Sequence, residues 1–271
     1  MSVILTHGAN SLNYNGGGDL PANLVYLTYF NNASTLDSTI DIPVVGLSTQ
    51  WNRAQSLSTL TEFVPSNYTG LPCVLCTSQG VSTTDSNLLG IINNNTGVIS
   101  IEWVYNSTQM SSSYSGYGYW GGMTFGMPGG YYFGVGYNYY DTGRGIYISL
   151  PGGASSYITL ESGFTSGWFD STACCFVMID DYHRWDKGIY YFAHVIDNRD
   201  PSHVVIRLYS NGVLAATETR TSPIVVSSLG YSNSSEWVTT EVTQFCIFNG
   251  DRSTDGGATY PVPSTPYVTS F

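Results

Sequence analysis

Residues 189–217 read IYYFAHVIDNRDPSHVVIRLYSNGVLAAT, and nowhere else does the chain state its fold so plainly. Ile189–Ile196 is a run of aromatic and β-branched residues, the types that fit a pleated, half-buried surface. Val204–Tyr209 alternates apolar with polar residues, the period-2 pattern of a strand. Between them lies Asp197-Asn198-Arg199-Asp200-Pro201-Ser202. It reads as a turn, because Asn and Asp tolerate tight backbone angles and Pro fixes φ. Asn211-Gly212 then forms a hairpin signal, since both residues accept φ > 0, and Val213–Ala216 resumes strand character. The spacing predicts a three-stranded antiparallel meander with one six-residue turn and one tight turn.

Working outward, the same grammar recurs. Leu24–Phe30, Val98–Tyr105, Gly145–Leu150, Ser156–Leu160, Ala173–Ile179, Ile224–Ser227, Trp237–Thr240 and Thr243–Phe248 read as strands. In Ile99–Tyr105, residues Ile99, Ile101, Trp103 and Tyr105 fall on one face and Ser100, Glu102 and Val104 on the other. Residues 71–92 contain short apolar pieces, including Leu88–Ile92, and Asn93–Gly97 reads as a turn. No window shows a sustained 3.6-residue apolar period, so very little helix is expected. At least ten strands with no repeat or linker predict one all-β domain. The expected boundaries are an N-terminal arm at 1–20, a sandwich at 21–258 and an extended tail at 259–271.

Composition narrows the function classes. Of 271 residues only 10% are charged, against a usual quarter, so Ser, Thr, Asn, Gly and Tyr must build the polar surface. The net charge is −11 with 8 basic residues. That balance argues against nucleic-acid or anionic-membrane binding, which depends on clustered Lys and Arg. No apolar run is long enough to span a bilayer, and membrane insertion is not expected. The start, MSVILTHGANSLN, lacks a basic segment followed by an apolar one, so synthesis in the cytoplasm without standard export is expected. The five cysteines include one Cys73-x-x-Cys76 pair, and His7, His183, His194 and His203 are scattered. A zinc site needs four ligands, so the cysteines read as buried small hydrophobes, and neither a metal site nor a cofactor is expected.

Residues 111–145, SSSYSGYGYWGGMTFGMPGGYYFGVGYNYYDTGRG, interleave glycine with aromatics. Over most of the stretch this suits bent, closely approaching strands. Tyr114–Gly122 reads as a loop, and 137–145 as a second. Tyr and Trp supply rigid amphipathic contact area, which makes Tyr119, Trp120, Tyr139, Tyr140 and Asp141 the candidate ligand-binding residues.

The order of strand motifs resembles that of a laminin-G-like domain of the concanavalin A-like lectin/glucanase superfamily. The resemblance rests on Leu24–Phe30, Ser100-Ile101-Glu102-Trp103-Val104-Tyr105, Tyr131-Tyr132-Phe133-Gly134-Val135, Tyr191–Ile196, Leu208-Tyr209-Ser210-Asn211-Gly212 and Phe245-Cys246-Ile247-Phe248-Asn249. It spans roughly residues 22–250. Where the family has a Trp at the start of its His-Val strand, this chain has Tyr190 or Tyr191. The resemblance implies a jelly-roll β-sandwich of two antiparallel sheets. Some members bind calcium, and Asp197, Asn198 and Asp200 could supply oxygens, although turn chemistry explains the same residues. Glycoside hydrolases of this fold resemble one another in an E-x-D-x-x-E strand, which is absent here. Glu102, Glu161, Glu218 and Glu241 stand apart in the sequence, whereas retaining hydrolysis needs two carboxyls about 5–5.5 Å apart. His194 reads as a structural histidine within a strand, and no catalytic residue is assigned.

The opening THGANSL and the Tyr-, Gly-, Ser- and Asn-rich composition resemble those of bacteriophage structural proteins. The expected function is therefore a non-enzymatic virion component, a tail, fibre or capsid-decorating lectin-like module. Its expected partners are other virion proteins, copies of itself and host-surface glycans, and its expected location is the virion. A stand-alone cellular carbohydrate-binding module is the alternative, with a glycoside hydrolase behind it.

Overall fold

A computed structural model describes residues 4–5, 12–13, 21–28, 40–41, 46, 49–54, 61–65, 72–77, 80–110, 119–127, 131–140, 143–149, 157–160, 164–170, 175–180, 188–233 and 238–262. The meander forms as the sequence dictates. Gly188–Asp197, Val204–Ser210 and Val213–Arg220 pair antiparallel, each with the next. Asn211 and Gly212 turn the chain with φ of 47° and 85°. A Cβ on Gly212 would lie 2.9 Å from the Tyr260 carbonyl oxygen, so glycine is required there by conformation and by space.

These strands belong to the larger of two antiparallel sheets, nine-stranded among the described residues. Its order is Tyr157–Leu160, Val213–Arg220, Val204–Ser210, Gly188–Asp197, Val98–Met110, Val238–Asn249, Pro72–Thr77 and Thr61–Pro65, with Leu24–Thr28 also paired to Val238–Asn249. The facing sheet, eight-stranded among the described residues, runs Phe164–Asp170, Cys175–Asp180, Gly143–Ser149, Tyr131–Tyr140, Tyr119–Met127, Ser228–Asn233, Gly80–Thr83 and Asn52–Ala54. Two short ribbons, Ile4–Leu5 with Leu12–Asn13 and Ile40–Asp41 with Thr49–Gln50, stand outside them. The architecture is an all-β sandwich.

Alternation fills the space between the sheets. Ile99, Ile101, Trp103, Phe192, Ile196, Phe245 and Ile247 of the large sheet meet Val81, Met123, Phe125, Leu229 and Tyr231 of the facing one, all buried. Trp51 stands edge-on to Trp103 and Phe245 at centroid distances of 6.1 and 5.6 Å, and its Nε1–H donates to the Tyr26 hydroxyl. A second cluster, Val104, Tyr191, Ala193, Val195, Tyr209 and Tyr260, lies on the other face of the large sheet. That face is covered by the C-terminal segment that includes Tyr260, so the central strand Val98–Met110 is buried on both faces at its N-terminal half.

Three readings need correction. Leu88–Ile92 belongs to a helix, Ser86–Asn93, capped by Asp85, whose Oδ1 accepts from the Asn87 and Leu88 amides at 2.8 and 3.3 Å. Its three inward residues, Leu88, Leu89 and Ile92, join the core, and packing stabilises a helix too short to persist alone. Ile224–Ser227 is irregular rather than a strand. The Asn93 side chain takes the place of a strand neighbour there, bonding both the N–H and the carbonyl of Val226 at 2.8 and 2.9 Å. Trp237–Thr240 and Thr243–Phe248 are not two strands: Val238–Asn249 is continuous, and a bulge at Thr243 absorbs the break in alternation.

Candidate functional site

The aromatic candidates lie on strands rather than loops. Tyr119–Met127 and Tyr131–Tyr140 pair in register, and Gly143–Ser149 continues the sheet. Tyr119–Gly122, 137–140 and 143–145 are thus strand, while 114–118 and Asp141 lie outside the described residues. Glycine weakens a strand by entropy and by the packing it forgoes. The register sets tyrosines opposite glycines, at Gly121–Tyr137, Gly126–Tyr132 and Gly136–Tyr147.

Register also sorts the candidates by face. Tyr119 lies opposite Tyr139, Trp120 opposite Asn138, and Tyr140 opposite Gly143. Tyr119 shares its parity with Met123 and Phe125, which are buried between the sheets. Tyr119 and Tyr139 therefore fall on the face toward the large sheet, and Trp120, Asn138 and Tyr140 on the face away from it. Gly122, Gly134, Gly136 and Gly145 occupy neighbouring positions of that same outward face. One end of one hairpin gathers four of the five candidates, divided between two faces.

A second cluster escaped sequence reading because its members are far apart in the chain. Glu102, fully buried, sits on the covered outer face of the large sheet. Its Oε1 accepts from the Arg252 guanidinium at 2.7 Å and from the Tyr260 hydroxyl at 2.5 Å, and its Oε2 from the Cys246 thiol at 3.2 Å. The Arg252 guanidinium also stands 3.9 Å over the Phe248 ring. Burial, reinforced by the Glu102 charge, pushes both the Cys246 thiol and the Tyr260 hydroxyl well above their ordinary pKa values, so both remain donors. Around this lock, Arg207 pairs with Asp251, the Tyr209 hydroxyl donates to the Gly257 carbonyl at 2.7 Å, and the Tyr260 amide donates to the Gly212 carbonyl at 2.8 Å. Residues 250–260 are thereby strapped across the sheet. Glu102 is a carboxylate enclosed by an arginine, a phenol and a thiol, and its chemistry is to hold that strap.

His194 projects between the sheets, its ring 4.9 Å from Phe125. Complete burial lowers its pKa from 6.5 to about 3, so it is neutral near pH 7 and enclosed by the core. The carboxylates of the 197–203 turn are locally engaged. Asp197 binds Arg199 through two contacts of 2.6 and 2.9 Å, and Asp200 accepts from the Ser202 N–H and hydroxyl at 2.9 and 2.6 Å. Hydrogen bonds from Arg199 and from Ser202 hold the two acids below the usual carboxylate range.

No protein-family model matches the chain, and no curated protein matches it either. Solved structures do. The receptor-binding domain of botulinum neurotoxin type G shares 9% identity at a TM-score of 0.48, over 85% of this chain and 48% of that one. The binding domain of botulinum neurotoxin DC, solved with SialylT, shares 10% at 0.46, over 83% and 47%. A carbohydrate esterase from the Shiga toxin-encoding bacteriophage phi24B shares 10% at 0.45, over 74% of this chain and 90% of its own. The chain spans about half the length of the neurotoxin domains it matches. These are likenesses of general shape, and the sandwich assignment rests on the strand pairing above.

Proposed function

We propose that this chain is a non-enzymatic, sugar-binding β-sandwich of the laminin-G-like kind, serving as a tail, fibre or capsid-decorating component of a bacteriophage virion. The observation that carries the binding reading is the register that sets Trp120, Asn138 and Tyr140 together on the outward face of the facing sheet. Aromatic rings meet the C–H faces of sugars, and an amide both donates to and accepts from hydroxyls. Glycines at the adjacent positions suit close approach of a ligand to the sheet backbone. Against catalysis stands the setting of Glu102, buried with Arg252, Tyr260 and Cys246 as its bonding partners. The virion role rests on the opening segment and on a charge-poor, Tyr- and Gly-rich composition.

The test is a printed glycan array probed with the full chain, with reducing-sugar release measured on every bound glycan. Retention of one glycan class without hydrolysis is the expected outcome. Uniform silence would remove the binding reading, and release of sugar would remove the non-enzymatic one. Immunogold labelling of virions tests location, and a chain absent from particles would refute the structural role.

A further inference from the structure

A second feature lies far from the Tyr119–Tyr140 hairpin. Where the end of the helix Ser86–Asn93 meets the large sheet, a groove of about 600 Å³ remains open. Its floor is aliphatic, made by Val25, Ile91 and Ile99, and its rim carries Asn94, Asn95 and Asn249. We propose that this groove binds one ring of a neutral saccharide, by amide hydrogen bonds at the rim and C–H contact at the floor. The proposal is independent of the outward-face site.

Three observations point the same way. First, the rim is pre-organised. The Asn249 amide N–H donates to the Asn23 carbonyl at 2.8 Å, and its Oδ1 accepts from Asn95 Nδ2 at 3.2 Å. Asn95 is fixed in turn, its Oδ1 accepting from the Gly97 amide at 2.9 Å. Among the described residues, Asn249 Nδ2 and the Asn94 side chain make no hydrogen bond, which leaves donors and an acceptor for a ligand. Asn95 and Asn249, held by these bonds, save part of the ordering cost of binding.

Second, among the described residues the lining holds no ionisable side chain. Among these residues a phosphate, carboxylate or cation would find no counter-charge, whereas a hydroxylated neutral ring matches both amides and aliphatic floor. The volume falls in the range of small-molecule sites.

Third, Gly90 is otherwise unexplained. It lies inside an eight-residue helix, where glycine is among the poorest residues. Among the described residues an added Cβ would meet Asn94 Nδ2 at 3.5 Å, an ordinary contact, so packing against them does not demand glycine. That Cβ would, however, project into the groove beside the rim amide. The site is thus a place where helix stability is given up for open space, the trade expected at a binding site.

The test titrates ¹⁵N-labelled protein with lactose, maltose, N-acetylglucosamine and mannose, following the Asn94 and Asn249 side-chain NH₂ resonances. Sugar is taken to about 100 mM, which would saturate a site with a Kd near 1 mM. We expect at least one sugar to shift both resonances saturably. Gly90→Ala should raise Tm by about 1–2 °C, through its helix propensity, while weakening that sugar about tenfold. Trp120→Ala should leave these shifts unchanged. No shift from any of the four sugars would overturn the proposal. So would a Gly90→Ala protein that is stabilised yet binds as before. Shifts that vanish in Trp120→Ala and persist in Gly90→Ala would overturn it too, while leaving the outward-face reading standing.

Discussion

Replacing Tyr260 with Phe removes a single hydroxyl from the lock over the large sheet. The ring stays, with its neighbours Tyr209 and Tyr191 at centroid distances of 5.1 and 6.1 Å. What is lost is a 2.5 Å bond to a fully buried carboxylate. Hydrogen bonds to charged groups contribute about 1.5–3 kcal/mol, so a loss near 2 kcal/mol is expected. Glu102 keeps Arg252 and Cys246, which places the cost below the 3–5 kcal/mol typical of breaking a buried ion pair. Tyr209→Phe is the internal control. Its hydroxyl bonds a neutral carbonyl at 2.7 Å, so about 1 kcal/mol is expected. For a chain of 271 residues, an unfolding entropy of about 2.1 cal/mol/K per residue converts 2 kcal/mol to a Tm drop of roughly 3–4 °C. Urea unfolding should show the midpoint moving with an unchanged slope, and amide exchange should quicken at Thr259 and Tyr260. A Tyr260→Phe protein within about 0.5 kcal/mol of wild type, or less destabilised than Tyr209→Phe, would refute the lock.

Other outcomes follow from the same contacts. The folded chain refuses a proton on His194 until about pH 3, whereas the unfolded chain binds it below 6.5. Stability from this group is therefore full above pH 6.5 and falls on acidification toward pH 3, by up to about 1.4 kcal/mol per pH unit. Urea midpoints of wild type and His194→Leu between pH 6.5 and 4.5 should differ in slope, and parallel profiles would contradict the assignment. Gly212→Ala forces a Cβ onto φ of 85° and against the Tyr260 carbonyl, and should cost about 1–3 kcal/mol by chemical denaturation. Asp85→Ala removes the helix cap and a bond from the Gln50 amide, a loss of about 1–2 kcal/mol, with circular dichroism and melts as the readout.

The chain discloses strands best where alternation and turn chemistry agree. Residues 189–217 meet both conditions, and Asn211 and Gly212 take the positive φ that their types suggest. The helix Ser86–Asn93 is hidden because eight residues with a central glycine show little period, and packing supplies what propensity lacks. The strands Tyr119–Met127 and Tyr131–Tyr140 mimic loops because glycine depresses the strand signal, and their pairing is invisible until register is known. Glu102 is the clearest case of information the sequence withholds. It appears solitary, yet Cys246, 144 positions away, stands opposite it on the neighbouring strand, and Arg252 and Tyr260, 150 and 158 positions away, reach it only when residues 250–260 cross the sheet. Tyr119 and Trp120 are adjacent in sequence and fall on opposite faces, a division that strand alternation could have foretold had the stretch been read as a strand.

The most direct test of the binding account is a pair of isotherms, wild type and Trp120→Ala, against the strongest glycan retained on the array, with a melt recorded for each protein. The account predicts unchanged melting and a loss near 2 kcal/mol, roughly 30-fold in Kd, as befits removal of a central aromatic contact. Equal affinity in the two proteins would contradict it and place the sugar elsewhere on the sandwich.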